Sequence, residues 1–121
     1  MTAPRFDTVL ADLVRELREA GIGRVDWDPS RLIAPCAVVT LTELEPGTLD
    51  GDLTATWETV LIAPDLSRTA SIRQLASLLG AALTVIDTDD RIRASSVSLP
   101  SSGQHRLPAL IITHTTPVKG T

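Results

Sequence analysis

At 121 residues the chain is long enough for one ordinary core, so a single domain spanning 1–121 is expected. With 43% apolar and 21% charged residues it carries too much burial material for a disordered chain. A net charge of −4 disfavours a duplex-binding protein, which needs clustered Lys and Arg to neutralise phosphates. The only aromatic residues are Phe6, Trp27 and Trp57, so a stacking platform for single strands is missing as well. One cysteine, Cys36, excludes an internal disulfide. The longest apolar runs, such as Val60 to Ala63 and Ala109 to Ile112, fall far short of the roughly 18 residues of a bilayer span. No membrane crossing and no secretory signal are therefore expected.

The first element is a helix. Phe6, Val9, Leu10, Leu13, Val14, Leu17 and Ala20 recur at steps of three and four, which puts one apolar stripe on a 3.6-residue period. Pro4 belongs in its first turn and Gly21 supplies its left-handed end. Ile22 to Trp27 reads as a short strand closed by the turn Asp28-Pro29-Ser30. Cys36 to Leu44 and Leu53 to Ala63 are rich in β-branched residues, and the connector Glu45-Pro46-Gly47-Thr48-Leu49-Asp50-Gly51-Asp52 is dense in turn formers. The pair predicts a hairpin with a long acidic loop.

Alternation along that hairpin separates its faces. Ala37, Val39 and Leu41 share one side with Leu53, Ala55, Trp57 and Leu61, while Thr40, Thr42, Thr54, Thr56 and Glu58 suit water. At one end the polar side turns apolar: Cys36 and Val38 on one strand meet Val60 and Ile62 on the other. Those four need a cover, from an intrachain segment or from a second subunit.

Ser67 to Ile86 predicts a second helix, capped by a Ser or Thr at 67, 69 or 71. Its apolar face reads Ile72, Leu75, Ala76, Leu79, Ala82, Leu83 and Ile86, and Gly80, Ala81 and Ala82 suggest a tight crossing. Ile92 to Leu99 and Leu107 to Thr116 predict two strands around the turn Pro100-Ser101-Ser102-Gly103. Leu110, Ile111 and Ile112 are apolar on both faces, so the last strand belongs inside the sheet or at an interface. The expected fold is α+β, with a mainly antiparallel sheet of four or five strands and two helices packed on one face.

Chemistry is sparsely represented. His105 and His114 lack metal-ligand spacing, and Cys36 has no neighbouring base to hold a thiolate, which reads as a small buried hydrophobe. The groups Asp87, Asp89 and Asp90, and Asp50 with Asp52, read as solvated turns, since no calcium loop closes on a glutamate. A phosphate loop, a nucleophile elbow and paired catalytic carboxylates are absent. No enzyme activity, cofactor or metal is therefore expected.

The element order, with Trp27-Asp28-Pro29, Pro35-Cys36 leading into the first hairpin strand, Trp57-Glu58 and Val60 on its partner, and Ala63-Pro64 at its end, resembles the small tail terminator proteins of long-tailed phages (siphoviruses) infecting actinobacteria. The resemblance spans nearly the whole chain. It implies a virion structural protein, assembled in the host cytoplasm, that forms a homo-oligomeric ring, commonly a hexamer. Such a ring caps the head-proximal end of the tail tube, stops tube polymerisation and joins the tail to the head connector or stopper protein. Genomic DNA only passes through its lumen. Interaction candidates are Cys36, Val38, Val60 and Ile62 at the apolar hairpin end, and Glu45, Asp50 and Asp52 in and beside the acidic loop. Two other readings stay open: a head-to-tail connector or neck protein of the same phages, which has similar size and composition, and a small cellular ligand-binding module, which would show a closed apolar pocket.

Overall fold

The computed structural model describes residues 6–46, 53–88 and 91–118. In chain order these form helix α1 (Phe6–Glu19), strands β1 (Val25–Asp26), β2 (Cys36–Pro46) and β3 (Leu53–Ile62), helix α2 (Arg68–Leu83), and strands β4 (Ile92–Val97) and β5 (Leu107–Val118). Single 3₁₀ turns stand at Pro29–Arg31 and Pro100–Ser102. The architecture is α+β: two helices and a mixed five-stranded sheet in the order β1-β2-β3-β5-β4. No helix among the described residues is long and apolar enough to cross a membrane.

The hairpin forms with the expected faces. Ala37 faces Leu61, Val39 faces Thr59 and Leu41 faces Trp57, and every one of these side chains lies on the same side of the sheet. A bulge at Thr42 then shifts the register, so Glu43 pairs with Thr56 and Glu45 with Thr54. The extra residue turns Glu43 and Glu45 onto the face opposite Trp57, and the Thr42 hydroxyl donates to the Thr56 carbonyl at 3.1 Å. β5 lies between β3 and β4, the interior place its two-sided apolar sequence predicts. The sheet departs from pure antiparallel order at one pair: β1 runs parallel to β2, with Val25 beside Ala37. The long connection through residues 27–35, including its 3₁₀ turn, carries the chain back to the end from which β1 started, which a tight hairpin turn cannot do.

The main core joins Val14 and Leu17 of α1 with Ala37, Val39, Trp57, Leu61 and Ile112 of the sheet and Leu78 and Ala82 of α2. α1 ends as its sequence indicates, with Gly21 at φ +118°, a conformation that strains any residue with a Cβ. α2 is capped by Ser67, whose hydroxyl accepts from the Ala70 N–H.

The buried stripe of α2 differs from the one its spacing suggested. Ser71, Leu78 and Ala82 are buried, whereas Ile72 is 59% and Leu83 45% exposed. The helix is apolar on most of its circumference, so periodicity does not select a face. The turn before it does: the Ser71 hydroxyl donates to the Pro64 carbonyl and accepts from the Leu66 N–H, both at 3.2 Å, which rotates Ser71 inward and Ile72 outward. Among the described residues no crossing element approaches Gly80, since nothing outside its own helix backbone lies within 4 Å of where its Cβ would stand.

Candidate interaction surface

The face of the sheet opposite Trp57 holds a second, smaller cluster at one end. Cys36 and Ile62 pair across the hairpin and pack with Leu32, Leu99, Leu107 and Ala109. Two loops make this cover. Asp28 accepts the Ser30 N–H at 3.0 Å, a bond that holds its carboxyl below the usual carboxylate range and sets the 3₁₀ turn at Pro29. Leu99 begins the turn at Pro100, where the Ser102 hydroxyl accepts the Leu99 N–H at 2.9 Å. The Ser101 hydroxyl donates to the Leu32 carbonyl at 2.6 Å and ties one loop to the other.

This cover stops short. Cys36 and Ile62 are buried and pack with Leu32 and Leu99 of these two loops, so intrachain segments cover them. Val38 and Val60, paired one step further along, are only half-buried. With Pro29, Ile62, Val97 and Leu99 they line an open groove of about 190 Å³ whose walls are almost wholly apolar. Beyond it the same face carries Glu58, which accepts from Arg93 at 3.1 Å, and then the exposed Glu43 and Glu45. Asp50 and Asp52 lie outside the described residues. The hairpin face is therefore graded along its length, apolar at the Val38 end and acidic at the Glu45 end.

Burial pushes the Cys36 thiol up to about 11, so almost no thiolate exists at neutral pH and the residue is an inert hydrophobe. Alkylation of Cys36 by iodoacetamide at pH 8 is expected to be slow in the folded protein and to reach the rate of a free thiol only in denaturant. Rapid labelling without denaturant would show that the loops at Pro29 and Pro100 open readily.

A second concavity, of about 430 Å³, lies between α1, the segment after α2 and β5, lined by Val9, Leu13, Glu16, Val85, Asp87 and His114 among others. His114 is 6% exposed, and its Nε2 lies 2.8 Å from the Thr59 hydroxyl. Desolvation lowers its pKa to about 4, so the imidazole is neutral at physiological pH. His114 stands on β5 opposite Trp57, on the core side of the sheet, and the buried Thr59 is the partner that spacing along the sequence does not name. Alternation contained the signal, because Thr59 stands between Trp57 and Leu61 on the core side. His105 lies in a loop, as its surroundings suggest, 2.6 Å from Asp65. Among the described residues no group of three or more His, Cys, Asp or Glu side chains is placed to hold a metal ion. Compared with protein-family models and with curated proteins, the chain matches none.

Proposed function

We propose that this protein is a structural subunit that assembles with copies of itself into a ring, and that the ring serves as a tail terminator: it caps the head-proximal end of a phage tail tube and joins it to the head connector. The observation that carries the reading is the half-open groove at Val38 and Val60. The chain covers Cys36 and Ile62 with its own loops and leaves the next pair for another surface. In this reading α1 and α2 both cover the sheet face that carries Val39, Trp57 and Ile112, and their shared cluster with those residues supports it. The opposite face is then free for assembly. A closed ring of subunits this size requires two different patches meeting head to tail, each burying on the order of 800 Å². A net negative subunit also suits a lumen through which DNA slides without adhering.

Light scattering across a concentration series, on the wild type and on Val38→Thr/Val60→Thr, tests the contact. Threonine keeps the β-branched shape and removes apolar surface, so the unfolding midpoint is expected to stay close to that of the wild type. The assembled mass is expected to fall toward one subunit. Equal assembly by both proteins would refute the groove as a contact. A wild type that remains a monomer and gains thermal stability from a small molecule would point to the ligand-binding reading instead.

A further inference from the structure

We propose that the groove at Val38 and Val60 receives helix α2 of a second copy of this chain; the proposal rests on the ring reading and names the partner of the same surface. The outer side of α2 has no cover among the described residues. Ile72 and Leu83 are large apolar residues with about half their surface in water, and Ala76 and Gly80 between them are exposed as well. The open space above Gly80 lets a flat surface come close to the helix backbone. Ile72 to Leu83 covers roughly 16 Å of helix at 1.5 Å per residue, enough to lie along several residues of a strand.

Charge sets the direction of docking. The charged residues of α2 are Arg68 and Arg73, both near its N-terminus and both exposed, and the helix contains no acidic residue. The charged residues on the open face of β2 and β3 are Glu43, Glu45 and Glu58. Glu58 is already paired with Arg93, while Glu43 and Glu45 have no salt bridge among the described residues. From Leu83 to Arg73 the helix rises about 15 Å. From Val38 to Glu43, across the bulge, the strand advances roughly 13 to 16 Å. With Leu83 over the groove, Arg73 thus reaches the acidic end of the hairpin.

The two surfaces cannot meet within one molecule. Leu78 and Ala82 hold α2 against the side of the sheet that carries Trp57 and Leu61, and the groove opens on the other side. Docking of α2 onto the groove therefore joins different patches of successive copies, the head-to-tail arrangement that closes into a ring when the rotation is right. It also adds a helix to a sheet face that otherwise has only loops, completing a third layer.

Charge reversal in the full-length chain tests this. Arg73→Glu alone and Glu45→Arg alone are each expected to raise the concentration for half-assembly roughly tenfold or more. The double variant Arg73→Glu/Glu45→Arg is expected to recover much of the loss. An equimolar mixture of the two single variants is expected to recover it too, because each then presents a helix that suits the other's sheet face and repels its own. If both single variants assemble like the wild type while Val38→Thr/Val60→Thr does not, the groove is an interface but α2 is not its occupant, and the proposal fails while the ring reading stands. A wild type that stays monomeric up to about 1 mM removes both.

Discussion

Replacing Trp57 with alanine is expected to cost roughly 3–5 kcal/mol, the range for deleting a large buried aromatic side chain. Its indole is fully buried in the main core, on the central strand β3, opposite Leu41 on one side and His114 on the other. Trp57→Phe should behave very differently. The indole Nε1 is buried without a hydrogen-bond partner among the described residues, and an unpaired buried donor costs roughly 1–3 kcal/mol. Phenylalanine loses some contact area but removes that donor, so the two effects offset and the net change is expected to stay below about 1.5 kcal/mol. Urea unfolding of the three proteins checks both values. A Trp57→Phe variant as damaged as Trp57→Ala would show that the indole N–H is in fact satisfied, by an ordered water bridging to a neighbouring group.

Acidification is expected to weaken the fold before the carboxylates titrate. In the folded protein His114 has a pKa lowered to about 4 from 6.5, so between those values the unfolded chain binds more protons. Stability therefore falls as pH drops from 6.5 toward 4 and levels off below, by up to roughly 3 kcal/mol if the whole shift acts. Above pH 6.5 the contribution is fully present. His114→Gln keeps a polar group near the Thr59 hydroxyl and has nothing to titrate in this window. Its unfolding free energy is expected to be lower than that of the wild type at pH 7 and much flatter between pH 6.5 and 5. A wild-type slope that survives this substitution would place the proton uptake elsewhere.

Local patterns on the strands carried most of what could be read from the chain. Ala37, Val39, Leu41, Trp57 and Leu61 announce the core side of the hairpin because a strand has period two and one side of this one meets water along most of its length. The same alternation located the apolar end, where Cys36, Val38, Val60 and Ile62 come together. The long-range terms were not legible. Nothing in Ser98 to Ser102 says that this loop will close over Leu32, because the bond from Ser101 spans most of the chain. Cys36 and Ile62 therefore looked as open as their neighbours. The orientation of α2 was equally hidden, since a helix with apolar residues nearly all round is turned by its contacts, here Ser71 with the Pro64 turn. The bulge at Thr42, which moves Glu43 and Glu45 to the open face, had no composition cue such as a glycine.

A cryo-electron microscopy reconstruction of the assembled protein is expected to show a closed ring in which Val38 and Val60 of every subunit lie beneath side chains of the next. A ring built through other surfaces, with those two valines still facing solvent, would contradict it.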